Sequence, residues 1–485
     1  MSSVLATAAH AFESRLAQSH IADRSNDAEP PGWDGPVVPR GLNDRRIDIL
    51  PKGFPAAGSR RDPWNWAVAS ATKTAAGARF TRVTPPTLDA EPACPGFALG
   101  STLPLPAPAQ TPGPRHHAER RRVADIPQPI WDAIAARTPW ATPFSSWAFQ
   151  TAWWDAYGAN AHDETLIVCM DGPDGDVPIA IVPLMHRHEV EPSDAATRTT
   201  IRHGATVELT PVEPTATAVF FAASYHADYS TILATEADLP AVAAALAEYL
   251  ADTAGRQRWD AVDLRRLRCG DPAGDALADA FGAREIAEGW TLNVEREDVC
   301  PVVTLPMDAD MDTYLATLGK KERHEIRRKV RRAEAVGEIH LDDSADPLGD
   351  LEAFIDLHQK RWGDLGLFPD TPGGAQSRVF ARRLFELNGP DGPLRLTFLT
   401  VGGRRIAAGI HFETPDGYLY YNAGIDPDAR DLSPGVLMVY AYVRRALDAG
   451  KRRLDFLRGD EPYKYEWGAV DEPIQRILVR RRDDR

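Results

Sequence analysis

Proline divides this chain in two. Sixteen of its forty prolines fall within the first 115 of 485 residues, and nine of those lie between Pro85 and Pro114. Each proline removes a backbone N–H and fixes φ near roughly −65°, so a tract such as STLPLPAPAQTPGP sustains neither a helix nor an interior strand. Residues 1–122 therefore read as a Pro-rich N-terminal extension, a mostly disordered linker. Two other readings stay open. The tract is an ordered arm on a folded body, or the chain starts further in, since Met1 is the sole methionine before Met170.

From Val123 the pattern becomes globular, and 43% hydrophobic residues suffice for a sizeable core. Ile130, Trp131 and Ile134 have helical spacing. Phe144, Trp147, Phe149, Trp153, Trp154 and Tyr157 form an aromatic helix face that reads as buried packing. Strands are predicted at 165–170, 179–185, 229–234 and 261–264, with a helix at 239–250. This makes an alternating module over 123–300. A second module, 301–485, opens with a strand at 302–305 and a long helix from Asp310 to Val336. Helices at 351–362 and 377–388 follow, then strands at 394–401, 405–413 and 418–423 joined by Gly402-Gly403 and Pro415-Asp416-Gly417 turns. A helix over 434–449 and strands at 453–457 and 474–480 complete it. The predicted class is α/β with a mixed sheet.

The net charge of −15 excludes a general nucleic-acid coat. Cys94, Cys169, Cys269 and Cys300 are scattered without a CxxC pair, so no disulfide scaffold, no metal site and a reducing compartment are expected. There is no run of about 18 apolar residues and no signal-peptide pattern, which predicts a cytoplasmic protein without a membrane span. GxSxG, HExxH, P-loop and GxGxxG motifs are absent.

Three segments carry candidate chemistry. GKKERHEIRRKVRRAE places Lys320, Arg323, Arg327, Arg328 and Arg331 opposite an apolar face of Leu315, Leu318, Ile326, Val330 and Ala333. It is either a docking surface for phosphate or a solvated face paired with carboxylates. YLYYNAGIDPDARDLSPGVL runs from a strand into a helix with Ser433 as N-cap and Pro434 at the first position. Its first turn is either a plain cap or an anion site. RLDFLRGDEPYKYEWG delivers Asp455, Arg458, Asp460, Glu461, Lys464 and Tyr465 into one short loop after a strand. That loop is either an active-site rim or a salt-bridge knot.

These segments, with LHQKRW and PFSSWAFQTAWWDAYG, resemble the FemAB-like, CelD-type branch of the GNAT acyltransferase superfamily, with its BioF-like acetyltransferase domain. The resemblance runs from about Val123 to Val479. It implies two tandem GNAT-like modules, the second holding the donor. It also implies an N-acyltransferase, an acetyltransferase, moving an acyl group from acetyl-CoA or another acyl-CoA to an amine, and no metal. The pyrophosphate motif of that superfamily maps to Arg430, Ser433, Gly435 and Val436, with Ser433 replacing a glycine and Pro434 removing one amide. Lys320, Arg323 and Arg327 are the further candidates on the cofactor side. Lys464-Tyr465-Glu466-Trp467-Gly468 matches a lysine–aromatic–Gly arrangement near the end of FemAB-like chains. The resemblance implies catalytic roles for Lys464 at the oxyanion, Asp460 or Glu461 as base or acceptor holder, and Tyr465 as acid to the thiolate. Trp362, Asn422, Arg458 and Glu461 would line the acceptor pocket. The acceptor is a small molecule or cell-envelope precursor, as in polysaccharide biosynthesis, and no DNA partner is expected. Two alternatives stay open: a FemAB-like transferase using aminoacyl-tRNA, and a non-catalytic GNAT-like binding module.

Overall fold

The computed structural model describes residues 115–481 apart from 174, 188–197, 202–204, 214–215, 225, 253–258 and 364–365. The Pro-rich segment up to residue 114 lies outside them. No helix among the described residues is long and apolar enough to cross a membrane.

The first part of the chain forms β1 (His116–Arg120), α1 (Gln128–Ala135), α2 (Trp147–Tyr157), β2 (His162–Asp163), β3 (Leu166–Met170), β4 (Val177–Val182) and β5 (Leu184–Arg187). It continues with β6 (Arg198–Ile201), β7 (Ala205–Glu208), β8 (Ala218–Phe221), α3 (Leu239–Ala251), β9 (Ala261–Arg268), α4 (Pro272–Glu288) and β10 (Trp290–Thr304). The second part forms α5 (Met311–Thr317), α6 (Lys320–Glu334), β11 (Ile339–Asp343), α7 (Pro347–Trp362), α8 (Pro372–Asn388), β12 (Leu394–Val401) and β13 (Arg404–Glu413). It ends with β14 (Gly417–Ile425), α9 (Pro434–Asp448), β15 (Arg453–Asp455), α10 (Pro462–Glu466) and β16 (Val470–Arg481).

Eleven strands make one mixed sheet in the order β11-β12-β13-β14-β15-β10-β16-β9-β8-β5-β2. Two pairs in it are parallel, β14 with β15 and β8 with β9. The others are antiparallel. The order β–α–β–α–β occurs twice, as β8-α3-β9-α4-β10 and as β14-α9-β15-α10-β16. The last strand of each set crosses over: β10 lies beside β15, and β16 lies beside β9. The two strands also pair with each other along nearly their whole length. Residue 300, the predicted module boundary, therefore sits inside a strand shared by both sets.

Several local differences from the sequence expectations have plain causes. His116 and His117, assigned to the linker, belong to β1, which pairs with β3. The single helix expected over 310–336 is two, because Leu318 and Gly319 adopt extended ψ values of 160° and 148°. Leu318 turns into the core there, and a Cβ on Gly319 would collide with the Glu322 carboxylate. Pro183, which has no N–H to donate, separates β4 from β5. Segment 229–234 makes two isolated bridges, Ile181–Leu233 and Ser230–Leu267, instead of a strand. The helix at 272–288 escapes periodicity because alanine and glycine blur its apolar face.

The aromatic helix α2 packs as its sequence suggests. Phe144 and Phe149 are buried and meet Phe412 and Phe380 edge to face, with ring centroids 5.5 and 5.4 Å apart. Each such ring contributes about 1.5–3 kcal/mol on burial, so this contact ties the first part of the chain to α8 and β13. Charge is buried at the strand crossover. Asp263 accepts two bonds from Arg476, 2.6 and 2.7 Å long, and Arg476 also reaches Glu295 at 3.1 Å.

A candidate functional site between parted strands

The parallel pair β14 and β15 is joined at only three positions, Gly417–Arg453, Tyr418–Leu454 and Leu419–Asp455. Beyond them β14 runs on to Ile425 paired with β13 alone, and β15 ends, which leaves the β15-facing edge of β14 without a strand. A register shift between Ile410 and His411 marks a bulge that makes Tyr421 the extra residue of β14. Bulges redirect side chains and interrupt pairing. The result is a gap flanked by Tyr420 and Asn422 on one side and by Phe456, Leu457 and Tyr463 on the other. Rings of Tyr420 and Phe456 lie 6.3 Å apart, and those of Phe456 and Tyr463 5.9 Å apart. Burial raises the Tyr420 and Tyr463 phenols above their ordinary value, so both remain protonated at neutral pH. In the first set of elements the corresponding place beside β9 is taken by the Ser230–Leu267 bridge.

Helix α7 closes one flank. It lies so close to β14 that a Cβ on Gly424 would run into the His358 and Leu357 backbone. Trp362 Nε1 donates to the Ala423 carbonyl at 3.4 Å, and the Asn422 side chain accepts from Ala423 N–H at 2.8 Å. His358, buried next to them, is pushed down to about 4 by desolvation, so it is a neutral imidazole.

At the far end of β14 the chain makes a short 3-10 turn and enters α9. Ser433 is the N-cap residue, but its backbone is left-handed, φ 57° and ψ 58°, and its hydroxyl does not cap the helix. A glycine takes that conformation without strain, which is why a glycine suits this position. The Ser433 carbonyl accepts from Val436 and Leu437, while Gly435 N–H forms no hydrogen bond among the described residues. The Ser433 hydroxyl accepts from Arg332 Nη2 at 2.8 Å. Arg430 is exposed on the preceding turn. Thus α6 brings Arg332 to the start of α9, a residue that helical spacing alone gives no reason to prefer. Arg323 and Arg327 point back along α6: Arg323 bonds the Ala316 carbonyl and Arg327 bonds Asp312 at 2.7 Å. Lys320 opens the helix at that same end.

The loop after β15 has a buried knot at its centre. Lys464 Nζ meets the carbonyls of Leu457, Arg458 and Gly459 at 3.2, 3.0 and 2.8 Å, and Glu461 at 2.8 Å. An ammonium has three protons, and four oxygens here compete for them. Lys464 therefore holds the loop, and its charge is directed at loop carbonyls rather than at the gap. The loop is strained: Leu457 has φ 57°. Arg458 pairs with Asp228 at 3.4 Å. Asp460 is part-buried, which raises its carboxyl above the usual range. Tyr465 turns away and donates to Asp471 at 2.6 Å. It is Tyr463 whose ring packs on Phe456, which in turn meets Tyr420, two residues from the tyrosine favoured by motif. Asp455, at the point where the strands part, accepts from Tyr229 OH and Leu457 N–H, both at 2.8 Å. Desolvation raises it to about 6.

Residues 320–465 match the family described as "Acetyltransferase (GNAT) domain". The matched segment contains the parted strands, the α9 start and the Lys464 loop. No curated protein matches the chain. Among solved structures the chain is similar to FemX, at 11% identity over 72% of this chain and 96% of that one, with a TM-score of 0.46. It is also similar to a tandem GNAT protein from the clavulanic acid biosynthesis pathway, at 11% identity over 76% and 98%, TM-score 0.38. A conserved protein of unknown function from Bacteroides thetaiotaomicron shows 12% identity over 75% and 99%, TM-score 0.41.

Proposed function

We infer that the protein transfers an acyl group, acetyl or a relative of it, from coenzyme A to an amine. The observation that carries this reading is the three-residue β14–β15 pairing followed by a bulged, unpaired β14 edge inside the domain that matches the acetyltransferase family. An extended thioester arm fits such a gap, lying along the free edge of β14. The donor's pyrophosphate would sit at the α9 start on Gly435 and Val436, with Arg332 and Arg430 supplying charge. Ser433 belongs to this cradle through its backbone. Lys320, Arg323 and Arg327 lie toward the opposite end of α6 and stand outside this cradle.

In the reaction the amine nitrogen bonds the thioester carbon, the C–S bond breaks, the ammonium loses its proton and the thiolate gains one. Protonated Tyr463 and Tyr420 flank the gap and suit the thiolate. Asp455 and Asp460, carboxylates raised by burial, are the candidates to take the amine proton. Lys464 is a positioning residue that shapes the loop carrying Arg458, Asp460 and Glu461, and Tyr465 fixes Asp471. Trp362 and Asn422 line the gap from the α7 flank. Domain limits at about 123–300 and 301–485 remain our assignment, with β10 and β16 exchanged between the two.

Release of free thiol from acetyl-CoA in the presence of a panel of amines tests this. Turnover that falls at least about 100-fold in Tyr463→Phe, with the fold intact, supports the assignment. Thiol release absent with every amine, in protein that binds the thioester, removes it.

A further inference from the structure

A second opening lies at the other end of the β14–β15 pair. It is a cleft of about 750 Å³ bounded by the 139–143 loop, the 414–419 turn and strand, and the starts of β15 and β16. That volume is in the range of small-molecule sites. Leu419 and Asp455, the last paired residues before the strands part, both line it, so the cleft ends where the donor gap begins.

Its charge is unbalanced. Four carboxylates, Asp416, Asp455, Asp471 and Glu472, face two guanidiniums, Arg268 and Arg453. Both guanidiniums are engaged by the protein itself. Arg453 makes a two-pronged pair with Glu472 at 2.8 and 3.0 Å and also lies 3.9 Å from Asp416 and 3.7 Å from Asp455, so one guanidinium is shared among three of the four carboxylates. Arg268 stacks between Trp140 and Tyr229, 4.7 and 5.2 Å from the ring centres. A ligand therefore meets an excess of two negative charges, contributed from three separate places: the turn before β14, the end of β15 and the start of β16. Spaced carboxylates beside aromatic walls favour a ligand with more than one cationic centre.

Resting on the acyl-transfer reading for its chemistry, we propose that this cleft is the acceptor site and takes a linear aliphatic polyamine. Its primary amine reaches toward Asp455 and its further ammonium groups lie between Asp416 and Asp471. The amine at the Asp455 end enters the gap, gives up a proton and becomes the amide nitrogen, while coenzyme A leaves as the thiol.

The test is calorimetric titration of the full chain with spermidine, glucosamine and acetyl-CoA, separately. The predicted result is spermidine binding that weakens at least about tenfold in Asp416→Asn/Asp471→Asn. The variant Asp391→Asn/Asp448→Asn, with the same charge change on exposed positions elsewhere, should bind as wild type. Acetyl-CoA affinity should be unchanged in both. Spermidine binding that is absent, equally weakened by both double variants, or matched by glucosamine overturns the proposal. If spermidine binds as predicted while acetyl-CoA does not bind, the donor reading fails and the cleft's ligand class stands.

Discussion

Lys464 is 3% exposed, and its ammonium serves four oxygens of its own loop. Truncation to alanine leaves three carbonyls and a carboxylate without their shared donor. Lys464→Ala should cost about 2–4 kcal/mol in denaturant unfolding and speed proteolysis within 457–464. Unchanged stability with lost turnover would instead make it a group that acts on the substrate. Asp455 gives a pH signature. Its folded-state value of about 6 lies above the ordinary 3.8 because burial disfavours the charge. The folded state then holds the proton more tightly than the unfolded chain. The stabilisation is complete below about pH 4 and is lost as pH rises through about 6. That loss amounts to about 3 kcal/mol at most. Asp455→Asn keeps an acceptor for Leu457 N–H, so the fall between pH 4 and 6 should flatten in that variant when unfolding is followed across pH. The sequence shows that Lys464, Asp460 and Glu461 share a loop. Which way each points depends on the left-handed turn at Leu457, and no residue pattern signals a leucine in that conformation. Choosing Tyr465 over Tyr463 has the same cause, since two residues on a one-turn helix face different sides.

Elements that are bounded by proline and glycine or by alternating strands are legible from composition: β12, β13 and α9 lie within a residue or so of their predicted limits. The gap is not legible, because it is made by the absence of pairing beyond Leu419–Asp455, and both strands continue to look like strands in sequence. Helix α7 closes one flank of it and comes very near β14 at Gly424. Gly424→Ala drives a methyl into the His358 and Leu357 backbone. It should destabilise the protein by about 2–3 kcal/mol and weaken donor binding, as measured by unfolding and by titration with coenzyme A. A stable variant with wild-type affinity would show that α7 does not set the gap.

Across the whole molecule, the exchange of β10 and β16 makes the two β–α–β–α–β sets interdependent. The pairing runs from Trp290–Arg481 to Val302–Val470 and encloses the buried Asp263–Arg476 pair. A polypeptide of residues 301–485 lacks most of β10 and exposes the edges of β15 and β16. Such a fragment should be unfolded or aggregated alone by circular dichroism and sedimentation, and should recover structure on co-expression with 115–300. Independent folding of the fragment would contradict the crossover. A tandem arrangement is foreshadowed by the order of segments along the chain, but the exchange itself requires three-dimensional pairing between residues as far apart in sequence as Trp290 and Arg481. The cleft beside β14 and β15 and the unpaired edge of β14 adjoin at Leu419 and Asp455.

Thermal unfolding with acetyl-CoA, in wild type and in Ser433→Asp, addresses the donor site most directly. Aspartate tolerates the left-handed backbone at 433 and sets a negative charge where the pyrophosphate would lie. The account predicts that acetyl-CoA at a hundredfold excess over its dissociation constant stabilises wild type by about 2.7 kcal/mol, and that the shift is lost in the folded Ser433→Asp variant. No shift in wild type with any acyl-CoA, or an equal shift in both proteins, would contradict it.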